Sequence, residues 1–120
     1  MDLDALASTL ADFAGARDWD QFHSPKNLAM ALVVETGELL EYFQWLSEEQ
    51  SFSLSQDDRN TVSEEVADIL IYLVRLADKL DIDIPTAVER KLAINEKKYP
   101  ADKVRGSADK YTKYEQDEKG

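Results

Sequence analysis

Residues 25–46 read PKNLAMALVVETGELLEYFQWL, and the fold turns on them. Ser24 can cap free helix amides and Pro25 is tolerated at a first helical position, so a helix is expected from Pro25 to about Leu46. Its apolar residues Leu28, Ala31, Leu32, Val33, Val34, Leu39, Leu40, Phe43 and Trp45 leave no continuous polar side. A helix that is apolar nearly all round is buried among others. Yet the same segment carries Glu35, Glu38 and Glu41. An acidic pair inside an apolar helix needs an explanation that a solvated one does not.

Outward from this segment, Leu3, Leu6, Leu10 and Phe13 recur at helical spacing and predict a first helix over 2–16. Gly15 and the polar run Arg17 to His23 break it. Residues 47–58, SEEQSFSLSQDD, show no period and read as a loop. A third helix is expected over about 58–80, centred on VADILIYLVRLA, and a fourth over 86–98, started by Pro85 and ended by Pro100. No Val/Ile/Thr alternation long enough for a strand occurs. The chain therefore reads as all-α, a four-helix bundle in a single domain over 1–120, with a polar tail from about Ala101.

Composition narrows the function. With 14 Lys+Arg against 25 Asp+Glu, the net charge of −11 opposes docking on DNA, RNA or an anionic membrane. An acidic protein can still bind phosphate through a bridging divalent cation. There is no cysteine, hence no disulfide and no zinc–thiolate site. MDLDALASTLADF lacks a basic leader region, and no apolar run reaches the ~18 residues that span a bilayer; a cytoplasmic protein is expected.

A spacing of three puts Glu35 and Glu38 on one helix face, and Glu65 and Asp68 on another. On the third helix a solvated face accounts for the pattern equally well, since Thr61, Glu64, Glu65, Asp68, Arg75 and Lys79 form a polar stripe. On the second helix it does not. Unpaired carboxylates near a bundle interior cost several kcal/mol each, and like charges one turn apart add to this. A hard cation such as Mg²⁺ would satisfy several at once and leave positions open for substrate phosphate, the arrangement of a phosphoryl-transfer site. A di-iron bundle needs Glu-x-x-His motifs, and the sole histidine, His23, sits in a loop.

The tetrapeptides E-T-G-E (35–38) and E-V-A-D (65–68), set among RDWDQFHSPKNL, ETGELLEYFQW, EEVADILIYLVRLA, NEKKYP and RGSADKYT, resemble the MazG-like all-α nucleotide pyrophosphohydrolases, nearest to their dCTP pyrophosphatase branch. The resemblance runs from about Asp4 to Tyr114. It implies Glu35, Glu38, Glu65 and Asp68 as Mg²⁺ ligands, and Trp19, Asp20, Gln21, Phe22, His23, Trp45 and Tyr72 around the base and sugar. Lys91, Asn95 and Tyr99, recurring every fourth residue, would form a polar face toward phosphates, with Lys110 and Tyr111 completing a neighbour's site. Leu10 stands where the eukaryotic dCTP enzymes carry a histidine near the base, so selectivity for dCTP or a modified relative is expected to be partial.

The expected activity is Mg²⁺-dependent hydrolysis of deoxynucleoside triphosphates to monophosphate and pyrophosphate, a house-cleaning reaction, with Glu38 or Glu41 taking the proton of the attacking water. The resemblance and the apolar second helix together imply a homo-oligomer, a tetramer built as a dimer of dimers. The alternative is a non-catalytic helical interaction module.

Overall fold

In the computed structural model the described residues are 1–106, and among them every regular element is helical. The chain forms two compact units, Met1–Ile82 and a second beginning at Asp83.

The first unit opens with α1 (Leu3–Ala16), capped by Asp2, whose side chain accepts the Ala5 N–H at 3.1 Å. A 3₁₀ turn (Asp20–Phe22) leads to α2 (Pro25–Glu41), where Ser24 Oγ accepts from the Asn27 N–H and Pro25 occupies the first turn. A one-turn helix α3 (Glu48–Ser51) precedes α4 (Gln56–Lys79), which Ser55 caps through the Asp58 N–H. Both α1 and α2 pack on α4. Among the described residues the buried apolar side chains come from these three helices: Ala14, Leu28, Val74 and Ala77. In the second unit, α5 (Ile84–Lys98) is capped by Asp83, whose carboxylate accepts from the Thr86 N–H and hydroxyl, and α6 (Ala101–Val104) makes one further turn.

The all-α class holds, with several corrections to the expected boundaries. The second helix stops at Glu41, not Leu46; beyond it Tyr42, Phe43 and Leu46 donate to the carbonyls three residues back, to Leu39, Leu40 and Phe43. Such short-range bonds are the tight turns in which helices end, and aromatic residues do little to prolong a helix. The expected loop over 47–58 contains α3, because Ser47 and Gln50 form a reciprocal capping box. The third and fourth helices begin two residues earlier than expected, at the positions their Ser55 and Asp83 caps allow. The polar tail starts with α6, where the Lys103 and Val104 N–H groups reach the Pro100 carbonyl.

A larger correction concerns burial. Of all the side chains on α2 only Leu28 is fully buried, and Met30, Val33, Val34 and Leu40 are each more than half exposed. Composition shows that a helix is apolar all round; it does not say that one chain supplies enough partners to cover it.

Candidate functional site

Helical geometry places residues three apart on one face, and the packing of α2 on α4 brings two such faces together. Carboxylate oxygens of Glu35 and Glu38 on α2 and of Glu65 on α4 all lie within 4.8 Å of one another. Asp68, half-buried one turn further along α4, stands outside this triplet, yet its charge acts on Glu35. Glu41, exposed at the end of α2, is outside it as well.

The triplet is electrostatically costly as it stands. Ionised carboxylates only accept hydrogen bonds, and Glu65 Oε2 is buried with no partner. Glu35 answers by holding its proton: its pKa is pushed up to about 7, first by the hydrogen bond a protonated Glu35 makes to Glu65, then by burial and the charges of Glu38, Asp68 and Glu65. Burial also raises the Tyr72 phenol, with the charges of Glu35, Asp68 and Glu38 adding to it. An all-oxygen donor set with an orphaned buried oxygen suits a hard divalent cation, which replaces mutual repulsion by attraction. The cluster is thus a candidate divalent-cation site.

Asp68 and Tyr72 also face a cavity of about 270 Å³, whose other walls are Leu10, Phe13 and Ala14 of α1, Trp19, His23, and Ile71 and Arg75 of α4. That volume is just below the ~300–1,000 Å³ of sites that engulf whole drug-sized ligands; it accommodates a base rather than a complete nucleotide. The Phe13 and Trp19 rings meet edge to face, 5.8 Å apart, and the Arg17 guanidinium lies 3.5 Å over Phe13. Asp18 turns the chain at φ +54°, a conformation Asp tolerates better than most residues, and Gln21 Nε2 ties the turn by donating to the Asp18 carbonyl and carboxylate.

Of the residues expected around the base, Trp19, His23 and Tyr72 line this cavity and Asp20, Gln21, Phe22 and Trp45 do not. Gln21 is occupied with Asp18. Phe22 is 60% and Trp45 86% exposed; Trp45 lies in the turn that ends α2, off the helical register that would have set its direction. Asp20 is engaged by Lys79 and Arg75, whose hydrogen bonds, Lys79's first, hold its carboxyl below the usual range. The expected polar face of Lys91, Asn95 and Tyr99 loses its last member. Tyr99 is the C-cap of α5 at φ −128°, drawn out of the helix as residues before proline are, while Lys91 is exposed and Asn95 half-buried on α5. Lys110 and Tyr111 lie outside the described residues.

Phe13, Ala14, Ile71 and Arg75 also wall the cavity, and nothing in the sequence singles them out for it. The apolar three carry no signal that separates a wall from a core, and Arg75 reads by periodicity as part of a solvated stripe when it is 3% exposed.

Residues 30–113, from within α2 through the whole of α4, match the MazG-like family. The chain belongs to that family. It is 50% identical over 104 residues to dCTP pyrophosphatase 1 of Bos taurus, covering 85% of this chain and 62% of that one. The Homo sapiens protein of the same name is 48% identical, with 85% and 61% covered. The chain therefore spans less than two thirds of the length of these relatives. A pyrophosphatase of known crystal structure from Archaeoglobus fulgidus is 43% identical at a TM-score of 0.77, covering 81% of this chain and 91% of that one. Among the described residues of this MazG-like chain, no helix is long and apolar enough to cross a membrane.

Proposed function

We propose that the chain is a Mg²⁺-dependent nucleoside triphosphate pyrophosphohydrolase that releases a nucleoside monophosphate and pyrophosphate, acting in house-cleaning on dCTP-like or modified deoxynucleotides. The observation that carries this reading is the convergence of Glu35, Glu38 and Glu65, one oxygen buried and unpartnered, beside a base-sized cavity that shares Asp68 and Tyr72 with their field. The similarity to two dCTP pyrophosphatases and to an archaeal pyrophosphatase supports it.

Glu35, Glu38, Glu65 and Asp68 would hold the cation. When bound, Mg²⁺ supplies the positive charge that offsets the triphosphate and polarises its oxygens. The rest falls to the chain. Trp19 and Tyr72 offer ring faces on which a base can stack, and the apolar walls Leu10, Phe13 and Ile71 exclude water from it. Glu41, outside the triplet, or Glu38 within it accepts the proton of the attacking water. The water oxygen bonds to phosphorus as the P–O bond of the α–β bridge breaks, and the leaving oxygen keeps the bonding electrons.

We also infer a homo-oligomer, a tetramer built as a dimer of dimers. Its support is the face of α2 on which Met30, Val33, Val34 and Leu40 follow one another at helical spacing and remain exposed in the single chain.

The test is pyrophosphate release by the purified chain with Mg²⁺ on dCTP, dATP, dTTP, dUTP and CTP. Turnover is expected, fastest on dCTP, and lost on chelation. No turnover on any of them would leave the helical interaction module as the better account.

A further inference from the structure

Arg75 is the one buried charged side chain among the described residues, and nothing in the reaction above uses it. It lines the base-sized cavity, and each of its guanidinium nitrogens is engaged. Nε donates to His23 Nδ1 at 3.3 Å, Nη2 donates to Asp20 Oδ1 at 3.0 Å, and Nη1 lies 3.5 Å from Asp78 Oδ2 one turn along α4. Lys79 binds the same Asp20 oxygen from the next turn. The planar fork is thus fixed by two carboxylates with its Nε–H directed at the histidine ring.

This geometry bears on where a proton sits. An arginine Nε–H is always a donor, because the guanidinium does not ionise in proteins. The nitrogen it meets must therefore be a bare acceptor. With Nδ1 bare, the single proton of the neutral ring sits on Nε2. A doubly protonated ring would set donor against donor beside a buried cation, and burial first, then the charges of Arg75 and Lys79, favour the neutral form against the opposing charge of Asp20. His23 lines the cavity with Nδ1 already taken, which leaves Nε2–H as the polar group its ring can offer a ligand.

We propose that Arg75 is a specificity-determining positioning residue: it locks His23 in the Nε2–H tautomer, so that the cavity meets a base with one fixed donor. Such a donor rewards a ring edge with a bare nitrogen, as in cytosine at N3, and opposes one that carries N–H there, as in thymine. The inference rests on the proposed function for its substrate, though not for the tautomer itself.

Because His23 is the chain's only histidine, NMR of protein labelled with ¹⁵N-histidine reads this ring without overlap. The wild type should show one protonated nitrogen, Nε2, and a bare Nδ1. In Arg75→Met, which keeps the apolar stem, the two tautomers should exchange. The ratio of kcat/KM for dCTP over dTTP should fall by about tenfold or more in the same variant, the size of effect expected when a polar contact to substrate is no longer directed. Arg75→Lys, which keeps a donor and a charge, should restore part of both. A merely structural role for Arg75 would lower the melting temperature without moving tautomer or ratio. A wild-type ring protonated at Nδ1, or in exchange, overturns the proposal even if the variants do not fold. So does a tautomer unchanged in Arg75→Met, and an unchanged ratio overturns the selectivity. A wild type that hydrolyses no nucleotide overturns the proposed function and the selectivity with it, and the tautomer measurement then decides the Arg75–His23 link alone.

Discussion

Glu35 concentrates the chemistry of the site in one side chain. Its pKa in the fold is about 7, against 4.5 for an unperturbed glutamate. Between these values the unfolded chain loses a proton that the folded chain keeps, so the metal-free protein loses stability as the pH rises from about 4.5 to about 7 and then levels off. Its melting temperature should accordingly be several degrees lower at pH 8 than at pH 5, with other titrating groups held common by comparison with a variant. Glu35→Gln carries no proton to lose and should flatten that difference while raising the metal-free melting temperature at pH 8. Added Mg²⁺ should stabilise the wild type at pH 8 by mass action and do little for the variant, whose turnover should fall by at least ~10²-fold, in line with the loss of an electrostatic contributor. Thermal melts at the two pH values, with and without Mg²⁺, check all of this. A steeper pH dependence in Glu35→Gln would remove Glu35 from the account.

At the scale of the element, α4 is the spine: it carries Glu65, Asp68, Tyr72 and Arg75 on 24 residues and packs against both α1 and α2. Its register begins at Ser55, whose Oγ takes the Asp58 N–H at 3.1 Å. Ser55→Ala should cost about 1 kcal/mol, seen as a lower urea midpoint with an unchanged slope, and Ser55→Asp should recover it. The helix starts were legible in the sequence because a cap is a local device: Ser24-Pro25 announces α2 with no knowledge of the rest of the fold. The carboxylate pairs were legible for the same reason, since i and i+3 share a face wherever the helix lies. What could not be read was non-local. Arg75 looks solvated until Asp20, 55 residues earlier, is brought to it, and Phe13, Ala14 and Ile71 look like any core residues until the space between them is seen. Periodicity tells which residues face the same way, and not what they face.

For the whole molecule, the exposed stripe of α2 sets the expectation. Replacing Val33, 69% exposed, by Glu would cost a monomer little, because surface substitutions seldom exceed about 0.5 kcal/mol. In an oligomer that uses this face it would bury an unpaired charge. Val33→Glu should therefore split the assembly in light scattering while circular dichroism stays helical; a wild type that is already monomeric would show that the stripe seals no interface. The two tryptophans of the chain bear on both questions. Trp19 forms the cavity wall against Phe13, whereas Trp45 is 86% exposed in the single chain. Their fluorescence should therefore divide by location: Trp45 is expected to emit as an indole in water and to move to shorter wavelength when another surface covers it, and Trp19 to be quenched when a base stacks in the cavity. With Trp45→Phe and Trp19→Phe separating the two signals, the protein carries its own optical gauges of assembly and of occupancy, and needs no added dye for either.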